Sequence, residues 1–124
     1  MSLKSAKLVA FAATTSASRA RRFYRDTLGL RLADDNPFAL VFDANGTMLR
    51  VQLVDEVVPA GHTVAGWQVK DIRKTVAALK RKRVKFNRYP GMGQDALGIW
   101  TSPSGARIAW FSDPDGNTLS LTEF

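Results

Sequence analysis

Two stretches of this chain, 70 positions apart, carry the same pattern, and it restricts the fold more than any other feature. Asp43-Ala44-Asn45-Gly46 and Asp113-Pro114-Asp115-Gly116 each open with an Asp and close with a Gly, between runs rich in aromatic, Thr, Val and Leu residues. Asp side chains bond neighbouring backbone and Gly supplies positive φ, so each tetrad reads as a tight turn between two strands. A second spacing supports the first: Val9-Ala10 and Ser16 precede Val64-Ala65 and Asp71 by 55 positions, so strand and helix cap stand equally far apart in both halves. One structural unit, including one hairpin, is expected to be made twice. The extra fifteen residues of the second copy fall in its middle loop, where an insertion disturbs least.

The pattern along the chain agrees. Lys7–Thr15 is an apolar strand, Ser16 or Ser18 an N-cap. Ala20, Phe23, Tyr24 and Leu28 recur at helical spacing with arginines on the other face, and Gly29 ends the helix. A short strand from Leu30 is interrupted at Asp34-Asp35-Asn36-Pro37, and strands follow at 38–42 and 47–54. Residues 55–61 read as a linker. The second copy has a strand at 64–69, a helix capped by Asp71 with Ile72, Val76 and Leu79 inward, then strands at 84–87, 99–101, 106–111 and beyond Gly116. Between them runs a Gly-rich loop, 88–98, placed to cover a pocket mouth.

Length and composition allow one folded domain with a real core. With no Cys, disulfides, thiolate metal sites and a Cys nucleophile are excluded. No apolar run approaches the roughly 20 residues of a membrane span, and no signal-peptide core precedes the first strand, so the expectation is a cytoplasmic protein without membrane contact. Eighteen Lys plus Arg against eleven Asp plus Glu leave a net charge of +7, concentrated in 70–88 and 19–31. That favours anionic partners. Nucleic acid is set aside, because the basic run 80–85 ends a helix and lacks stacking aromatics at the spacing of a nucleic-acid module.

Three stretches, SASRARRFYRDTLGL (16–30), VKDIRKTVAAL (69–79) and WFSDPDGNTLSL (110–121), set in a duplicated frame, resemble the glyoxalase/bleomycin-resistance/dioxygenase superfamily, the vicinal oxygen chelate proteins. The resemblance implies an α+β fold in which two βαβββ modules, about 7–54 and about 62–124 on either side of the linker, form one domain of cupped, mostly antiparallel sheets with helices on the outer faces. It also implies a ligand site on the concave faces and, for many members, a homodimer.

The family's enzymes hold a divalent metal there, with His, Glu or Gln from the first and last strand of each module. Carried over one at a time, those positions hold Val9, Arg50, Val64 and Ser120. Val has no donor atom, Arg stays protonated and Ser is a poor ligand. His62 lies off the position, and Glu123, an odd offset from Ser120, faces the other side of its strand. No metal and no other cofactor is therefore expected.

Strand parity places Phe11, Arg50, Gln52, Gln68, Ser120 and Thr122 together with Val9 and Val64 on the inner faces. Trp100, Trp110 and Phe38, with Tyr89 and Met92, are candidates for an aromatic lining, whereas Trp67 has core parity. Arg50 is the sharpest candidate, since an inward Arg needs a counter-charge from protein or ligand. The resulting reading is a metal-independent protein that binds a small neutral or anionic aromatic molecule, with resistance by sequestration as one role. Family members that sequester bleomycin grip a cationic drug with an acidic groove, which this basic chain does not match. The alternative is an enzyme of the same superfamily, of lyase or dioxygenase type. It would work without metal through His62, Tyr89 or Asp95, or with an unrecognised metal ligand set.

Overall fold

A computed structural model describes residues 1–124, which form two compact units, Met1–Val57 and Val58–Phe124.

In the first unit, β1 (Val9–Thr14) leads into α1 (Ala17–Arg21), followed by β2 (Arg31–Asp35), β3 (Ala39–Ala44) and β4 (Thr47–Leu53). The sheet order is β1-β4-β3-β2, with β1 parallel to β4 and the other pairs antiparallel. Ser16 caps α1, its side chain accepting from the Arg19 N–H. The helix then widens into a π-helical segment, Arg22–Thr27, in which the Leu28 N–H reaches back to the Phe23 carbonyl. That wider turn sets the Phe23 and Tyr24 rings edge to face at 5.2 Å, and Tyr24 packs on Phe42 at 5.6 Å. Gly29, at φ +78°, ends the helix as expected. Alternation divides the sheet. Ala12, Thr14, Leu40, Phe42, Leu49 and Val51 are buried with Ala20 and Tyr24, and the opposite face carries Val9, Phe11, Val41, Met48, Arg50 and Gln52.

The second unit repeats the plan with β5 (Ala65–Gln68), α2 (Ile72–Arg81), β6 (Trp100–Thr101), β7 (Arg107–Ser112) and β8 (Thr118–Glu123). Its order is β5-β8-β7-β6, again with one parallel pair. Asp71 caps α2 through the Lys74 N–H, and Ile72 and Val76 are fully buried. The core side holds Phe111, Leu119 and Leu121, with Trp67 stacked on Phe111 at 6.4 Å, as its parity required.

Three expectations are corrected. The 84–87 strand is reduced to one bridge, Phe86 to Phe111. Phe86 and then Trp100-Thr101 meet the same edge of β7, so the loop between them is an excursion out of a single broken edge strand. The segment at Asp34-Asp35 does not interrupt β2, which runs through both residues with a bulge between Leu32 and Asp34. The chain instead turns at Asn36, whose side chain accepts from the Phe38 and Ala39 N–H groups.

The third concerns the hairpins, which differ. In the first, Ala44 pairs Thr47 across a two-residue turn with Asn45 at φ +52° and Gly46 at φ +92°, the geometry that matches strand twist. In the second, Ser112 pairs Thr118 across five residues. Pro114 stands at the place of Ala44, which pairs with Thr47 across the first turn, and Pro has no N–H to close such a pair. The loop is held instead by Asp113, which accepts from the N–H groups of Asp115 and Asn117 and from the Asn117 amide.

Candidate functional site

In the first sheet Arg50 stands between Phe11, its parallel partner, and Val41, its antiparallel partner, on the face turned away from the helix. Met48 and Gln52 are its neighbours of like parity along β4. Arg50 as a residue is half-buried, and its guanidinium makes neither an ion pair nor a hydrogen bond with the protein. A charge so placed keeps its full capacity for a carboxylate or another planar anion.

At the hairpin end of the same face is a cavity of about 290 Å³ lined by Lys7, Leu8, Val9, Arg31, Val41 and Met48, among others. Its floor is apolar and its rim cationic. Asp43 faces it too, but is engaged by the Gly46 N–H at 2.8 Å and by Arg31 at 3.3 Å. Those two contacts, the backbone N–H first, hold its carboxyl below the ordinary carboxylate range.

The second sheet carries a cavity of about 420 Å³ between His62, Thr63, Tyr89, Met92, Trp110 and Thr118. Tyr89 meets the Trp110 ring edge to face at 5.6 Å, and Trp100 lies 6.1 Å from the same ring. The loop that supplies Tyr89 and Met92 is internally bonded. Gln94 accepts from the Tyr89 N–H and donates to the carbonyls of Asn87 and Gly98, while Asp95 accepts from the Leu97 and Ile99 N–H groups. The loop thus forms a wall of the cavity.

The two cavities occupy the same place in the two units. Val41 pairs Arg50 as Trp110 pairs Ser120, and Asp43 pairs Met48 as Ser112 pairs Thr118. Lys7 and Leu8 precede β1 as His62 and Thr63 precede β5. What differs is the lining: cationic and aliphatic in the first, aromatic with one imidazole, His62, and no Lys, Arg or carboxylate in the second.

Of the predicted residues, Phe11, Arg50 and Gln52 share the open face of the first sheet, and Gln68, Trp100, Trp110, Ser120 and Thr122 that of the second. Phe38 is not brought to that face. It precedes β3 with the parity of Leu40 and Phe42 and is 78% exposed. Parity could have found Met48 and Thr118, neighbours of Arg50 and Ser120 at even offset. Lys7 and His62 lie just before β1 and β5, although they share the parity of Val9 and Val64, and Arg31 reaches its cavity from an edge strand. Tyr89 and Met92 depend on the path of a long loop.

The four family metal positions do not fit a divalent cation. Val9 and Val64 offer no donor, and Arg50 and Ser120 stand at corresponding points of the two last strands without a carboxylate or imidazole. No three His, Asp or Glu side chains are grouped to hold a metal. Glu123 points to the helix side, as its parity predicts, and bonds the Ile72 N–H.

The family model of the glyoxalase/bleomycin resistance protein/dioxygenase superfamily matches residues 8–121. No curated protein matches the chain. Among solved structures, the lactoylglutathione lyase of Agrobacterium tumefaciens superposes with a TM-score of 0.74 at 17% identity, over 96% of this chain and 93% of that one. A glyoxalase family protein from Enterococcus faecalis gives 0.71 at 18% identity, with 94% of each chain covered. A member of the superfamily from Sphaerobacter thermophilus gives 0.67 at 25% identity, over 95% of this chain and 96% of the other. The first two likenesses speak for the fold alone. No helix of the chain is long and apolar enough to cross a membrane.

Proposed function

This chain belongs to the glyoxalase/bleomycin resistance protein/dioxygenase superfamily, and from that premise we propose that it binds a small neutral or anionic aromatic molecule without a metal, Arg50 being the anion contact. The observation that carries this reading is Arg50, a half-buried residue with an unpaired guanidinium, between Phe11 and Val41. With no counter-charge from the protein, that guanidinium can give a ligand carboxylate two parallel charge-assisted hydrogen bonds. Phe11 and Gln52 are the adjoining apolar and polar contacts on the same face. Such a protein would act by sequestration, as in resistance. A homodimer belongs to the same reading, supported by Leu8, Phe11 and Met48, which stay 75%, 50% and 42% exposed in the single chain.

The test is calorimetric titration and thermal unfolding with 2-naphthoate and the cation 2-naphthylmethylammonium, with and without a chelator. At 100 times its dissociation constant a ligand adds about 2.7 kcal/mol of stability. Naphthoate should stabilise, the ammonium should not, chelator should change nothing, and Arg50→Ala should weaken naphthoate at least tenfold. Equal binding by Arg50→Ala, or binding lost to chelator, would sink the reading.

A further inference from the structure

The cavity of the second unit can be read from its own walls. Its aromatic lining is Trp110 and Tyr89, a T-shaped pair with centroids 5.6 Å apart, and the Met92 thioether adds a polarizable contact that adapts to flat ligands. A volume of about 420 Å³ lies within the range of small-molecule sites. No carboxylate, Lys or Arg lines it, so nothing there selects a charged ligand.

His62 supplies the polar element. Its Nδ1 lies 3.1 Å from the Thr63 carbonyl oxygen. A carbonyl can only accept, so Nδ1 carries the hydrogen and Nε2 of the neutral ring is a bare acceptor. Thr63 and Thr118 add hydroxyl groups at the same cavity.

The corresponding cavity of the first unit shows that the fold builds this recess twice and that the side chains decide its use. Where the first has Lys7, Leu8, Val41 and Met48, the second has His62, Thr63, Trp110 and Thr118. Aliphatic walls have become aromatic, and a fixed cation has become a hydrogen-bond acceptor.

We propose that the recess between His62, Tyr89, Trp110 and Thr118 is a binding site for a neutral, planar aromatic molecule bearing a hydroxyl donor, with the ring on Trp110 and the hydroxyl donating to Nε2 of His62. The site does not use Arg50, so it and the reading above fail separately.

The test is calorimetric titration of the full chain at neutral pH with 2-naphthol and its methyl ether, 2-methoxynaphthalene, which has the same ring and no donor. 2-Naphthol should bind at least tenfold more tightly than the ether. His62→Ala should erase that difference, Trp110→Val should weaken both ligands, and Arg50→Ala should alter neither. Val is the residue at the corresponding position of the first sheet; if Trp110→Val does not fold, the exposed His62→Ala decides alone. Ether binding as tight as naphthol binding, a preference that survives His62→Ala, or no saturable binding of 2-naphthol by the wild type would overturn the proposal.

Discussion

The carboxylate of Glu123, in β8, accepts a hydrogen bond at 3.0 Å from the backbone N–H of Ile72, the first residue of α2. The only carboxylate on that strand is thereby engaged at the N-terminus of a helix, on the opposite side of the sheet from Ser120. With Asp71, which accepts from the Lys74 N–H, it satisfies donors that the helix itself leaves open. Glu123→Ala should cost about 1–2 kcal/mol in urea unfolding, and Glu123→Gln clearly less, because the amide oxygen still accepts. Indistinguishable unfolding curves for wild type and Glu123→Ala would show that the contact contributes nothing.

Gly66 and Ser120 face each other in the parallel pair of the second sheet, the place held by Phe11 and Arg50 in the first. A Cβ at Gly66 would press on Ser120 Oγ and lie 3.2 Å from its carbonyl oxygen. Gly66→Ala is therefore expected to lose about 1–3 kcal/mol, despite the usual gain of replacing a strand glycine. Ser120→Ala in the same chain should restore part of that loss by removing the hydroxyl, a coupling on the order of 1 kcal/mol in a double-mutant cycle. Additive effects, or a more stable Gly66→Ala, would contradict the close approach.

The two hairpins should respond unequally to losing their leading Asp. Asp113 is buried and holds three donors within its loop. Asp113→Ala leaves them without that partner and should cost about 2–3 kcal/mol. Asp43, at the exposed two-residue turn, should matter less, because Asn45-Gly46 already favours that turn. Thermal unfolding of the two variants side by side decides it, and equal losses would refute the distinction.

Asp43 also predicts an acid dependence. Its folded carboxyl lies below the ordinary range because the Gly46 N–H and then Arg31 favour the charged form. The unfolded chain thus binds the proton more readily, and stability rises with pH across the window. The contribution is complete above the ordinary Asp value of about 3.9 and is lost as pH falls through the lower folded value. Asp43→Asn, which keeps an acceptor for Gly46 and drops the charge, should flatten the acid limb of a stability–pH curve. An unchanged slope would assign that limb to other carboxylates.

Local rules carried much of the structure. Ser16 and Asp71 cap helices because short oxygen side chains reach N–H groups three residues on. Period-two alternation placed Arg50, Gln52, Ser120 and Thr122 on one face and Glu123 on the other. The donor chemistry of Val9, Arg50, Val64 and Ser120 could likewise be read from the residues alone. The duplication was legible too, since 55- and 70-residue spacings are properties of the string.

The tertiary structure decided what depends on residues far apart in the chain. A spacing of 70 aligns Asp43 with Asp113, yet in the ladders Asp43 corresponds to Ser112, each in its own sheet, because the longer loop at Pro114 shifts β7 by one residue against the repeat. Whether Phe86 and Trp100 belong to one edge depends on the register of β7, which a local apolar pattern cannot specify. The recesses were hidden for the same reason. Lys7 and Arg31, or His62 and Tyr89, share no periodicity, and only the folded sheet, by bringing a pre-strand segment, a central strand and a loop or edge strand together, makes each set a site.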